Sequence, residues 1–332
     1  MSYKDNNNFR FPCTVTENIK PIFMNNTFFS VCTAWKADKR PWVKPATYAT
    51  YNILINSHLA PYFGPIAPSD LSEQNVQAYV NAELEKGLSV KTIRDSLRVL
   101  KMILKFGARR GEWTLSDFSV RFPVSCERRR PLQVLTKHHC TLLQRFLETH
   151  PSPRNMGLLI CLNSGLRIGE VCGLQWGDID LRTGLVHIRR TVQHIWIRDG
   201  DVRADWMEIG MPKTATSVRD IPLSREIQEL LRPAKKASKP GHYVVTGSPE
   251  PLEPRYLRAY FYRLLAVLGI PKVRFHALRH SFATRCIEGR CDYKTVSAIL
   301  GHSSISTTLD LYVHPGTAQK RRVIEKMSRS LR

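Results

Sequence analysis

The sequence predicts a two-domain chain that is mainly α with a small antiparallel β-sheet. Three observations carry this. Apolar residues recur at helical spacing from about Asn26 to Phe106, and again beyond Leu135. Between these stretches, SVRFPVSCERRRPLQ (residues 119–133) has two prolines, three consecutive arginines and no periodicity, which is the composition of a linker. The run LVHIRRTVQHIWIRD (residues 185–199) is rich in β-branched residues and partly alternating, as in a strand or hairpin. A length of 332 residues suffices for two domains, each with its own core.

Taken in order, residues 1–24 are polar and Asn-rich and read as a tail, or as an arm that orders on a partner. A helical domain follows over residues 25–118. Its first helix, Thr27 to Lys39, carries Phe28, Val31 and Trp35 at helical spacing and stops before Pro41. A second starts at Pro45, a good first-turn residue, and runs to about His58, where PYFGPIAPSD breaks the chain. Ser72 caps a third, with Val76, Tyr79, Val80 and Leu84, ending at Gly87. Ser89 starts a fourth, to about Phe106. There Ile93, Leu97, Leu100 and Leu104 form an apolar stripe, and Lys91, Arg94, Arg98, Lys101 and Lys105 form a basic one beside it. Asp95 is expected on another face. The basic stripe suits phosphate contact, although a solvated Lys/Arg face is the plainer reading.

The second domain spans residues 134–315. It opens with LTKHHCTLLQRFLETH, a helix capped by Thr136, followed by an apolar helix from Arg154 to Cys172 interrupted at Gly165. After the strand-like run come an expected GDVRAD turn and MEIGMPKTATSVRDIPL, where Ile209, Val218 and Ile221 mark further strands and Lys213 sits near a turn. From Arg255 the pattern is helical again, broken at Gly269-Ile270-Pro271 and at Gly301. The tail, residues 316–332, has six basic residues against one acid, and Val323, Ile324 and Met327 give it an apolar edge.

Fifty Lys plus Arg against 28 Asp plus Glu leave a formal charge of +22, which favours a polyanionic partner and points to nucleic acid. An anionic membrane surface is the competing reading. No apolar run is long enough to span a bilayer, and no signal peptide or lipidation signal is seen, so the expected compartment is the cytoplasm. The eight cysteines form no CxxC pair and no zinc spacing, and are expected as reduced thiols. No cluster of Asp and Glu has two-metal spacing, so neither a metal nor another cofactor is expected.

Two stretches carry residues suited to phosphodiester chemistry: SGLRIGE, with Arg167 and Glu170, and HALRHSFATRCIEGRCDYKTVSAILGHSSISTTLDLYVH, with His276, Arg279, His302 and Tyr312. Breaking a strand without metal needs cations on the non-bridging oxygens, a nucleophile and a proton for the leaving 5′ oxygen. Arginine suits the first task because its planar fork binds phosphate bidentately and keeps its charge. A tyrosine phenol forms a stable yet reversible ester, histidine can orient or accept protons, and lysine can donate one. Each residue has a plainer counterpart: a lone arginine is ordinarily ion-paired, a lone histidine structural, a lone tyrosine part of a core. His280 is read as structural. The set carries the argument.

That set resembles the tyrosine recombinase (phage-type integrase) family. A first arginine in a TGLRxxE-like motif is matched by SGLRIGE, HxLRH by HALRH, and LGH by Leu300-Gly301-His302. A PKTxxSxRxIPL-like stretch is matched by PKTATSVRDIPL, and the nucleophile segment by Leu309 to His314, in the family's order. The C-terminal motif is most similar to integrases of conjugative transposons and related mobile elements. The resemblance implies an N-terminal helical core-binding (SAM-like) domain followed by an α+β catalytic domain.

It further implies that Arg167 and Arg279 clamp the scissile phosphate, His276 assists with protons and phosphate, and His302 hydrogen-bonds the phosphate. Lys213 becomes the general acid and Tyr312 forms a 3′-phosphotyrosyl link; the i,i+3 spacing of Glu170 from Arg167, apart from the resemblance, suits that carboxylate to holding a neighbouring cation. The implied partners are double-stranded DNA with core-type sites and further copies of the chain in a tetramer, with the basic tail docking on a neighbour. An excisionase or host bending protein stands among the accessory partners such reactions can require. Only about two dozen residues precede the helical domain, too few for an independent arm-site domain. DNA inversion or dimer resolution by the same chemistry, and a non-catalytic DNA-binding protein on this scaffold, are the alternatives.

Overall fold

The computed structural model describes residues 27–111, 113, 118–123, 132–199, 202–211, 217–312 and positions 321, 324, 325, 327 and 328. The N-terminal tail, the centre of the linker, Lys213 and most of the basic tail, Val323 included, lie outside the described residues. Two compact units result: the chain to Arg128 together with Ile197–Arg203, and Arg129–Trp196 together with Ala204 onward.

In the first unit, α1 (Phe28–Lys39) is capped by Thr27, α4 (Glu73–Glu85) by Ser72 and α5 (Val90–Arg109) by Ser89, each side chain accepting a backbone N–H of the first turn. Their apolar faces meet in one cluster that includes Phe28, Trp35, Tyr79, Ile93, Leu100 and Ile103. The stripe Ile93, Leu97, Leu100 and Leu104 is buried as its spacing predicts, each side chain contributing about 1.5–3 kcal/mol of transfer free energy.

Two expectations for this unit need correction. The second helix does not stop at His58. It runs as α2 (Pro45–Leu54), widens into a π turn over Ile55–Leu59 and continues as α3 (Ala60–Phe63). The wider turn closes where the Ala60 N–H bonds the Ile55 carbonyl, just before Pro61, which has no N–H to donate. Nor is Asp95 remote from the basic stripe: its carboxylate pairs with Arg98 at 2.7 Å, one helical turn on.

In the second unit, α6 (Lys137–Thr149, capped by Thr136), α7 (Pro153–Ser164), α8 (Ile168–Gly173) and α10 (Pro254–Val267) enclose the largest core. The β content forms two sheets where one was expected. Strands β1 (Ile179–Asp180), β2 (Leu185–Ile188) and β5 (Arg219–Pro222) make an antiparallel sheet, with Val186 opposite both Ile179 and Ile221. Strands β3 (Thr191–Asp199) and β4 (Val202–Gly210) pair separately. The expected GDVRAD turn is mostly strand, since β4 begins at Val202, and Val218 stands exposed just before β5.

One helix escaped the sequence reading: α9 (Arg225–Ala237), which holds Pro233 within it. It forms because Ser224 caps it and Ile227 and Leu231 are buried, while the proline falls in its C-terminal half. Helices α11 (Ala277–Glu288), α12 (Tyr293–Leu300) and α13 (Ile305–Tyr312) complete the unit. Breaks occur as expected at Gly269 and Gly301, both at φ +65°, and also after α11, where Arg290 takes φ +60°. Among the described residues no helix is long and apolar enough to cross a membrane.

Candidate active site

The polar residues of the second unit converge where α7 hands over to α8. Gly165 closes α7 in the left-handed conformation, a turn that a β-carbon would both strain and drive into Phe282 and Leu300. Two residues on, Arg167 heads α8. Its backbone N–H donates to Glu170 Oε2 at 2.9 Å, its Nη1 to Glu170 Oε1 at 2.8 Å and its Nη2 to the Gly301 carbonyl at 3.0 Å.

Glu170 is buried and takes a second arginine. Arg219, on β5, donates from Nη1 and Nη2 to the two carboxylate oxygens at 3.0 Å each, and from Nε to the Ile299 carbonyl at 2.6 Å. Burial alone would raise the Glu170 carboxyl. The hydrogen bonds and charge of Arg219, joined by Arg167, outweigh it and hold the group below the usual carboxylate range.

Arg279 lies in the first turn of α11 and is only 1% exposed. Its Nη1 donates to the Gly165 carbonyl at 2.9 Å, while its Nη2 is buried with no hydrogen-bond partner among the described residues. Burial, and then the Arg167 charge, push the guanidinium down to about 9, which leaves it cationic at neutral pH. A buried guanidinium nitrogen without an acceptor costs stability unless a ligand supplies one. An anionic group placed there would supply that acceptor.

Three histidines surround it. His276 immediately precedes α11 with an exposed edge, and burial of the rest of its ring, with His280, Arg279 and Arg167 nearby, pushes it down to about 4. His302 follows the left-handed Gly301; its Nδ1 is 2.8 Å from the Oγ1 of buried Thr308, and burial and the arginines push it down to about 4. His280 packs edge-to-face on His276, with ring centroids 4.5 Å apart, and is likewise pushed to about 4 by burial and Arg279. Its Nδ1 lies 2.6 Å from the Tyr312 hydroxyl. Tyr312 ends α13 and is 8% exposed, packed with Ala283, Val296 and Leu300. Burial raises its phenol, with partial offset from Arg279 and Arg167, so it is protonated at rest.

The fold thus brings Arg167, Glu170, His276, Arg279, His302 and Tyr312 into one electrostatically linked cluster. Lys213 lies outside the described residues. Lys91, Arg94, Arg98, Lys101 and Lys105 are all exposed along α5 of the other unit, with different surroundings. Arg94 stacks on the Phe122 ring at 4.9 Å, and Lys101 lies over Phe118 at 4.7 Å and bonds its carbonyl.

Two residues went unassigned in the sequence, and a third was assigned another role. Arg219 stands as the arginine of the quoted SVRDIPL stretch, so its signal was present. Thr308 carried no local signal, and His280, read as structural, contacts the phenol. Among the described residues no group of three or more His, Cys, Asp or Glu is placed to hold a metal ion.

Comparison with known proteins returns the same architecture. Residues 133–319 match the profile described as the phage integrase family, and residues 27–84 that of the phage integrase N-terminal SAM-like domain. A tyrosine recombinase XerC-like protein of Caldanaerobacter subterraneus subsp. tengcongensis is 26% identical over 312 residues, covering 86% of this chain and 78% of the relative. The ICEBs1 integrase of Bacillus subtilis is 23% identical over 304 residues, with the same coverage of 86% and 78%. Among solved structures, the Tn1549 transposon integrase in complex with transposon right end DNA superposes with a TM-score of 0.71 at 24% identity, over 90% of this chain and 99% of that one. A λ integrase tetramer bound to a Holliday junction gives 0.64 at 18% identity, over 89% and 80%.

Proposed function

Since the chain belongs to the phage integrase family of tyrosine recombinases and is thereby a site-specific recombinase, we propose that Tyr312 is its nucleophile and Arg167 and Arg279 its phosphate clamp. The observation that carries this is the buried, unpartnered Nη2 of Arg279, within electrostatic reach of both Arg167 and the Tyr312 phenol. A phosphodiester supplies the missing acceptor, and the arginine charges stabilise the oxygens as charge accumulates on them.

In this reaction the Tyr312 oxygen attacks phosphorus, the bond to the 5′ oxygen breaks, and a 3′-phosphotyrosyl ester remains. Lys213 gives the leaving 5′ oxygen its proton. His276 assists with protons and phosphate, His302 hydrogen-bonds the phosphate, and Glu170 holds Arg167 in place. The ester conserves the bond energy, so attack by a 5′-hydroxyl from a second strand rejoins DNA through a Holliday junction. The biological use we favour is integration and excision of a mobile element, supported by the ICEBs1 and Tn1549 integrases among the similar proteins. The acting species is a tetramer on double-stranded core sites, with α5 laid against the phosphates of one face. DNA inversion or dimer resolution uses the same steps and differs in the product.

The test uses duplexes from the ends of the DNA element that encodes this chain, nicked beside each candidate cleavage point. In EDTA, wild-type protein forms a 3′-linked covalent adduct on a denaturing gel, and Tyr312→Phe forms none. An adduct with Tyr312→Phe would overturn the nucleophile, and a native-gel shift without any adduct would favour a binding-only protein. Sequencing the joined products separates excised circles from inverted segments.

A further inference from the structure

We infer that His280 is the proton acceptor for Tyr312. The inference rests on Tyr312 as the nucleophile and adds what that assignment lacks: a destination for the phenolic proton. Burial keeps the phenol protonated at rest, so attack requires an acceptor within hydrogen-bond reach. His280 Nδ1 stands 2.6 Å from the hydroxyl oxygen. His276 faces His280 across an edge-to-face ring contact.

The helix explains the division of labour. Arg279 and His280 are consecutive in α11, about 100° apart around the axis, so one side chain reaches the Gly165 carbonyl while the next reaches α13. The groups facing His280 are Arg279 from its own helix, His276 from the residue just before it and Tyr312 from α13. Burial and the Arg279 charge keep the imidazole neutral, so with its proton on Nε2 the Nδ1 lone pair accepts from the phenol.

The step balances. The bond from Tyr312 Oη to phosphorus forms, the bond to the 5′ oxygen breaks, the phenolic proton passes to His280 Nδ1 and the 5′ oxygen receives one from Lys213. A phosphate anion between Arg167 and Arg279 offsets the positive charge that opposes imidazolium formation. During rejoining the imidazolium returns the proton to the departing phenol, and its acidity assists that departure.

Single-turnover adduct formation on the nicked duplex, from about pH 6 to 9, tests this with wild type, His280→Ala and His280→Asn. The asparagine carbonyl can hold the phenol in a hydrogen bond but cannot take its proton. Both variants should cleave about 100-fold slower at neutral pH, bind DNA normally by gel shift, and gain about tenfold in rate per pH unit as hydroxide replaces the base. The defect should persist on a 5′-bridging phosphorothiolate, whose leaving thiolate needs no proton. Near-wild-type cleavage by His280→Asn would show a positioning role only and overturn the assignment. A loss with an unchanged pH profile, or a loss rescued by the phosphorothiolate, would overturn it too. Absence of any Tyr312-dependent adduct with wild type would instead sink the nucleophile assignment beneath it, and this inference with it.

Discussion

Arg219 grips both oxygens of Glu170 through parallel hydrogen bonds of 3.0 Å, and Glu170 passes the restraint to Arg167 across 2.8 Å. A strand thus fixes an arginine that lies 52 residues earlier in the chain (219 − 167). With side chains 7% and 3% exposed, the Arg219–Glu170 pair is a buried fork: Arg219 without Glu170 would be an uncompensated charge, whereas Glu170 without Arg219 would keep Arg167. Glu170→Gln keeps the volume and removes the charge. It should lower the stability of the second unit by about 3–5 kcal/mol in urea denaturation and abolish most adduct formation. An unchanged midpoint would show that the fork does not bear on folding.

Thr308 tests the support of His302. Thr308→Val preserves shape but leaves the Nδ1 of His302 without the hydroxyl 2.8 Å away. A loss of about 1 kcal/mol is expected in a thermal melt, with adduct formation about tenfold slower as the ring loses its orientation. Melting and single-turnover cleavage measured on the same preparation separate the two effects.

Gly165→Ala carries two penalties, the positive φ and contacts of 2.7 and 2.8 Å with Phe282 and Leu300. Gly269→Ala, in the same unit, carries only the first, since nothing lies within 4 Å of its added β-carbon. The backbone term is about 1–2 kcal/mol, and overpacking adds about 1–3. Denaturation should therefore rank Gly165→Ala below Gly269→Ala, with cleavage lost only in the former.

The histidines set an acid limit. His276, His280 and His302 are each pushed to about 4 in the folded chain, below the value near 6.5 that they regain on unfolding. Between those values the unfolded chain binds more protons, so stability is full above about pH 6.5 and falls as pH drops toward 4. His276 contributes least because of its exposed edge. Urea midpoints measured from pH 7.5 to about 4.5 should decline steadily; a flat profile would contradict the buried, cation-crowded setting.

The α5 stripe should divide in function. Lys91→Ala or Lys105→Ala should each lower the slope of log affinity against log salt by about 1, the effect of one lost phosphate contact. Arg94→Ala and Lys101→Ala also release the 118–123 segment, at about 0.5–1 kcal/mol per cation–π contact. Salt titration by fluorescence anisotropy, with melts alongside, distinguishes the two classes.

Much of this protein was legible locally. The caps Thr27, Ser72, Ser89 and Thr136 and the buried stripe Ile93, Leu97, Leu100 and Leu104 follow from neighbours within a few residues, where period and hydrogen-bonding capacity decide. Arg167, His276, Arg279, His302 and Tyr312 were picked out by residue chemistry and by the motifs of the resemblance, and the fold brings them into one cluster. Helix α9 and the passage through Pro61 were not legible, because burial and a widened turn overrode a local breaker. The tertiary structure alone decided that Arg219 serves Arg167 through Glu170, that Thr308 steadies His302 and that His280 meets the phenol. Side chains remote in sequence, such as Arg219 and Glu170 or His280 and Tyr312, meet only once helices and strands have packed, and a local pattern reports only its own segment.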